Sequence, residues 1–204
     1  MTPDATISSF VEAGQFRQAA NAIDEQPSRT LFLRVLRCEL EAHVGVPLRA
    51  RDNAERLLRE RLTNVDRAHC WKVIGRVDLS TGRTDVGLRG MSRAVRFASD
   101  SGDARLQARL MCSLAEGLLH WVGTEPAAVE LPRVRTMVVR SGDSHSMVAL
   151  HSLCAEIQAK KGQMIAALSS IKVARSLLLG FGNVWQQGRL AITKAGIAII
   201  TISA

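Results

Sequence analysis

"HCWKVIGRVDLSTGRTDVGLRGMSRAVRFASDSGD", residues 69–103, holds Trp, Ile and Gly at 71, 74 and 75, a glycine at 82, then Gly, Met and Ala at 87, 91 and 94. The spacing after Gly82 keeps small or apolar residues on one face of a helix, because positions three and four apart lie above one another. A glycine between two such runs marks a turn, so the stretch reads as a helical hairpin whose arms approach closely.

The same marks recur along the chain. Taking Gly14, Gly45, Gly82, Gly123 and Gly162 as inner turns gives steps of 31, 37, 41 and 39 residues. Five residues after each comes a small side chain: Ala19, Ala50, Gly87, Ala128 and Ala167. Four further on stand Ile23, Ala54, Met91, Pro132 and Ile171, of which Pro132 does not fit and is expected to kink or delay its helix. Between hairpins, "SGD" at 101–103 returns at 141–143, a step of 40 residues, and "FGN" at 181–183 follows one step later. A glycine followed by Asp or Asn suits the end of one helix and the cap of the next. Periods of this size mean stacked helical hairpins.

Composition agrees. Of 204 residues, 47% are hydrophobic but only 4% aromatic, with no Tyr, which favours close-packed helices over a β-sandwich. Helices are expected near 4–13, 15–26, 29–43, 47–61, 65–80, 84–100, 104–121, 125–140, 144–161 and 163–178, with a last one from about 184. No low-complexity linker separates them, so residues 1–204 are expected to form one repeat domain of five hairpins and an unpaired helix.

Chemistry is sparse. No phosphate-binding loop or dinucleotide fingerprint occurs, and no two His have the i, i+4 spacing of a helical metal site. His151 and Cys154 share a helix face, a pairing more often found in packing than in a thiolate or metal site. Cys38, Cys70, Cys112 and Cys154, spaced by 32, 42 and 42 residues, suggest equivalent buried positions rather than a zinc site or a disulfide framework. No catalytic residues, metal ligands or cofactors are expected. Asp4 and Glu12 are unlike a signal peptide, and the expected location is the cytoplasm. The net charge of +8 attracts acidic partners without choosing among them.

The register of Trp71, Ile74, Gly75, Gly82, Gly87, Met91 and Ala94 resembles the tetratricopeptide repeat (TPR). Gly162, Met164, Ala167, Ile171 and Ala174 match the second half of that motif, and Gly14, Phe16, Ala19 and Ile23 match in the opening unit. The resemblance implies an all-α, right-handed α-solenoid of stacked antiparallel hairpins, a TPR-like superhelix. Its long steps and Gly-Asp junctions are similar to the helical sensor regions of large bacterial transcriptional activators.

The resemblance also implies a function: a non-enzymatic scaffold holding a protein or peptide in a groove lined by the first helix of each hairpin. Carried onto this chain, that register assigns Val35, Glu39 and His43 to the groove, then His69, Lys72 and Arg76. Ser113, His120 and Trp121 follow, then Ser152, Glu156 and Lys160. Lys72 and Arg76, one turn apart, could converge on a carboxylate of an acidic ligand, or be solvated surface. Trp121 could anchor a partner, though a place in the core is favoured. The alternative is a helical-repeat RNA binder, which needs a continuous basic strip that Glu39 and Glu156 interrupt. A direct nucleic-acid or membrane partner is not expected.

The segment 189–204, "RLAITKAGIAIITISA", is too short and too interrupted by Lys194 to span a bilayer. It corresponds to the first helix of a sixth hairpin, whose second helix and polar cap are not in the sequence. That leaves Ile192, Ile197, Ile199, Ile200 and Ile202 short of cover, and the expectation is a piece of a longer protein or self-association through this end.

Overall fold

The computed structural model describes the backbone of residues 3–27, 29–180 and 184–202 and the side chains of 5–27, 29–180 and 186–197. The "FGN" at 181–183 lies outside the described residues. The described residues form helices and turns without strands. The chain divides into two compact units, Met1–Asp103 and Ala104–Ala204.

The first unit holds α1 (Pro3–Glu12), α2 (Phe16–Asp24), α3 (Leu31–His43), α4 (Pro47–Leu57), α5 (Asn64–Ser80) and α6 (Thr84–Ser101). The second holds α7 (Ala104–Trp121), α8 (Thr124–Ser141), α9 (Ser144–Lys160), α10 (Met164–Leu178) and α11 (Val184–Ile202). In the first, α1/α2, α3/α4 and α5/α6 pair as hairpins, with α3 packed on α2 and α5. In the second, α7/α8 and α9/α10 pair, and α11 packs on both α9 and α10.

Two kinds of junction alternate. Within hairpins, Gly14, Gly45, Gly82 and Gly162 adopt positive φ, and the next residue donates its N–H to a carbonyl five residues back, as Arg83 does to Asp78 at 2.8 Å. The second helix then starts without a side-chain cap. Between hairpins, side chains cap the new helix: Thr30 Oγ1 accepts from Leu33 N, Thr63 and Asp66 form a reciprocal capping box, and Asp143 accepts from Ser146 N. Both "SGD" junctions end a helix on a left-handed glycine, Gly102 and Gly142.

The fourth hairpin corrects the register read from sequence. Gly123 donates to Leu118 at 2.8 Å, the bond made elsewhere by the residue after the turn glycine, and it stands at the N-cap of α8. Val122 therefore takes the turn-glycine position. Counting five from Val122 reaches Ala127, fully buried, and not Ala128; the next face positions are Leu131, Val134 and Val138. Pro132 lies beside that stripe, exposed, inside a helix that it does not delay. A missing N–H on the solvent side is where proline disturbs packing least. Its carbonyl accepts from Thr136 Oγ1 at 3.0 Å.

The four cysteines are buried free thiols, as expected, but they do not share one register. They are the eighth, seventh, ninth and eleventh residues of α3, α5, α7 and α9. Ile197 is buried in the packing of α11 on α9 and α10, whereas Ile192 is 74% exposed; the side chains of Ile199, Ile200 and Ile202 lie outside the described residues.

Hairpin α5/α6 has the closest crossing. A Cβ at Gly75 would lie 2.8 Å from Met91 N, and one at Gly87 would lie 2.7 Å from Leu79 N. Around it, the buried Asp78 carboxylate receives Arg51 Nε of α4 at 2.8 Å and Arg83 Nη2 at 2.6 Å, joining α4, α5 and the inner turn. The second unit uses a comparable clasp. Arg109 Nη2 on α7 donates to Asp143 Oδ1 at 2.7 Å while Asp143 caps α9.

Replacing Gly87 with Leu should therefore destabilise the first unit by about 1–3 kcal/mol through overpacking. Gly82→Val, at φ 80°, should cost about 1–2 kcal/mol through backbone strain. Gly188→Ala, with open space around it, should be neutral or stabilising. Urea unfolding of the three variants checks the order.

Asp143 generates a pH prediction. Burial pushes its carboxyl pKa up, but bonds from Arg109 and Ser146 outweigh that and hold it at about 2, below its ordinary 3.8. A depressed folded-state pKa contributes stability above the unfolded value and loses it as pH falls toward the folded one. Asp143→Asn, which can still cap, should lower stability at pH 7 by about 2 kcal/mol and flatten the acid loss between pH 3.8 and 2, read by thermal unfolding.

Candidate functional site

In the first unit, α3 and α5 face one another through a polar cluster. The Glu39 carboxylate receives Lys72 Nζ at 3.2 and 3.3 Å and lies 2.5 Å from His69 Nδ1. Burial raises its pKa, yet Lys72 and His69 together hold it well below the usual carboxylate range. One turn along, Arg76 Nη1 donates to His43 Nε2 at 3.2 Å, and the His43 ring stacks on Phe16 with centroids 4.4 Å apart.

Lys72 thus already has a carboxylate, supplied by α3 of the same chain. Lys72 and Arg76 do not share one carboxylate: each reaches a different residue of α3. Val35 is in the core rather than on this face.

The second unit has a recess lined by helices of successive hairpins. Helices α7, α9 and α11 bound a cavity of about 350 Å³ lined by His120, Glu156, Lys160, Arg189, Ile192 and Thr193, with Ala159, Gly196 and Ile197 behind them. Thr193 Oγ1 donates to Glu156 Oε1 at 2.8 Å, and His120 Nε2 stands 3.5 Å from Glu156 Oε2. Arg189 Nη2 reaches Glu116 on α7 at 2.8 Å. Lys160 makes no ion pair among the described residues and is exposed at the end of α9.

The thirteenth residues of α7, α9 and α11 are Glu116, Glu156 and Gly196. Where the first two helices carry a carboxylate, α11 carries no side chain, and Gly196 is one wall of the cavity.

His120, Glu156 and Lys160, assigned to the groove by the repeat register, come together here. Ser113 is half-buried and Ser152 buried, and neither lines the cavity. Trp121, for which a core position was favoured, is 45% exposed at the end of α7 and also off the lining. Glu116, Arg189, Ile192, Thr193 and Gly196 were not anticipated. The 40-residue step carries Glu116 to Glu156 and Gly196 and was the signal that could have found them; the apolar character of the last segment obscured it.

Cys154 is buried, its thiol pushed up by burial, and Arg135 Nη2 approaches its sulfur at 3.8 Å. His151 beside it is pushed down by burial and by Arg135, which disfavours the imidazolium. Both groups are therefore neutral at physiological pH, as packing residues are. Among the described residues no cluster of three or more His, Cys, Asp or Glu could hold a metal ion. No described helix is long and apolar enough to cross a membrane.

Paired helices joined by tight turns, four of the five on a positive-φ glycine, with a small residue at each crossing, define a TPR-like helical-repeat α-solenoid. Two solved structures share this fold. Aspartyl phosphate phosphatase F from Bacillus subtilis matches 92% of the chain with a TM-score of 0.69 at 14% identity. A protein described as a kinesin light chain of Podospora anserina, with nearly identical TPR-like repeats, matches 86% of the chain and 92% of its own length with a TM-score of 0.58 at 15% identity. The chain spans about half, 53%, of the Bacillus protein's length. No protein-family model and no curated protein matches the sequence.

The ion pairs of the first unit have a measurable consequence. Lys72→Met removes the cation that offsets Glu39 in a mostly buried setting and should destabilise the unit by about 2 kcal/mol. Adding Glu39→Gln to Lys72→Met should recover part of that loss, because no buried carboxylate left with His69 alone then remains. A double-mutant cycle by chemical denaturation measures the coupling.

Proposed function

We propose that this chain is a non-enzymatic protein- or peptide-binding scaffold and that the cavity on α7, α9 and α11 receives the ligand. The observation that carries the reading is the cavity itself: three successive first helices contribute to one recess, with unpaired Lys160, half-exposed His120 and exposed Ile192 on its walls. An extended peptide would place an acidic side chain or a terminal carboxylate against Lys160 and an apolar side chain against Ile192.

Charge supports an acidic ligand at this unit. Residues 104–204 hold 11 Lys and Arg against 5 Asp and Glu, whereas residues 1–103 hold 16 against 14. Glu39, Glu116 and Glu156 break the basic strip that an RNA-reading surface would need. On the face built by His69, Lys72 and Arg76, Glu39 of α3 offsets Lys72 and His43 engages an Arg76 donor, so neither cation is fully available to a partner. The 40-residue step and the Gly-Asp junctions support the more specific role of a sensory or regulatory segment within a bacterial transcriptional regulator, working in the cytoplasm.

Fluorescence anisotropy with labelled acidic peptides, each with a free or an amidated C-terminus, tests the reading. Lys160→Glu and Ile192→Asp should each weaken binding about tenfold without loss of helicity. Lys172→Glu, off the cavity lining, should leave it unchanged. Absence of saturable binding to any acidic peptide, or equal affinity in the Lys160→Glu protein, rejects the proposal.

A further inference from the structure

A second recess lies in the first unit, on elements that contribute nothing to the peptide cavity. Helices α2 and α4 both flank α3 but make no contact with each other among the described residues, leaving a cleft of about 580 Å³ floored by α3. Five arginines line it: Arg29, Arg34, Arg37, Arg49 and Arg56. Only two carboxylates, Asp24 and Glu41, line it with them.

The charges form a chain. Asp24 is shared by Arg29 at 3.0 Å and Arg37 at 2.9 Å, and Glu41 by Arg37 at 3.5 Å and Arg49 at 2.9 Å. Asn53 Nδ2 donates to the other oxygen of Glu41 at 3.0 Å. This order holds three guanidinium groups within a few ångströms of two acids and ends in a cation on both sides. Among the described residues Arg34 pairs with Glu60, an exposed residue that does not line the cleft. The Arg56 side chain makes no hydrogen bond or ion pair among the described residues. On the floor, Arg37 Nη1 is buried without a hydrogen-bond acceptor, although Glu41 pairs with it as an ion at 3.5 Å.

Surplus positive charge, a buried guanidinium nitrogen without a hydrogen-bond acceptor and the unpartnered Arg56 on the rim call for a compact anion with several oxygens. Guanidinium forks match the oxygens of phosphates in pairs; a single carboxylate fills one fork and chloride none, whereas a diphosphate offers oxygens to several forks at once. The remaining lining, Cys38 and Leu57, provides no aromatic surface for stacking a base. We infer that the cleft between α2 and α4 is a binding site for a small oligophosphate, recognised through its phosphate groups and bridging Arg34, Arg49 and Arg56.

Isothermal titration of the full chain with inorganic diphosphate, at constant ionic strength, tests this. The expected result is saturable binding that ADP reproduces to within a few-fold and that chloride does not. Arg56→Ala, which removes an exposed and unpartnered side chain, should weaken diphosphate binding about tenfold with unchanged circular dichroism and unfolding temperature. Arg93→Ala, outside the cleft, should bind as the unaltered chain does. No saturable diphosphate binding at millimolar concentration overturns the inference. So does binding that Arg56→Ala leaves intact, or binding of ADP without diphosphate, which would mean recognition through the nucleoside.

Discussion

The closeness of paired helices is the constraint on which the rest of this structure depends. Where α5 meets α6, Gly75 and Gly87 let backbone approach backbone so nearly that any side chain at either position would overlap its neighbour. Ala19, Ala50, Ala127 and Ala167 hold the matching position in the other hairpins, each fully buried. Tight pairing directs larger side chains of the second helices outward, and Ile23, Val138 and Ile171 join cores shared with the helix that follows in the same unit. A hairpin cannot bury that stripe alone, so stacking follows from the crossing.

Polar groups then fix how neighbouring helices align. Asp78 and Asp143 are buried or nearly so, and each is held by arginine from an adjoining helix or turn. An ionised carboxylate in such a place is tolerated only with its partners in position, so these clasps restrict sliding as well as adding stability. Asp143 does this while capping α9, coupling the start of one helix to the side of another.

The two recesses arise from different departures from regular stacking. On α7, α9 and α11 the opening appears where a repeated glutamate position becomes Gly196 and a long arginine crosses from α11 to Glu116. On α2, α3 and α4 it appears because the two second helices stand apart and charged side chains, not apolar ones, border the gap. One recess mixes apolar and basic walls and suits a peptide; the other is almost wholly guanidinium and carboxylate and suits a small anion.

The sequence by itself determined the helices, their pairing and the TPR-like class, because those depend on local rules: glycine at left-handed turns, threonine and aspartate at caps, and small residues at a fixed distance from the turn. It also placed His120, Glu156 and Lys160 on a common face. It misread the fourth hairpin, since Gly123 signals a turn wherever it stands and only the bond to Leu118 shows it sitting one residue late. It could not see that Lys72 is held by Glu39, that Trp121 stays exposed, or that Arg189 meets Glu116, 73 positions away. Those facts depend on which side chains packing brings within a few ångströms, and a periodic pattern gives the face of a residue without giving its neighbour across the gap.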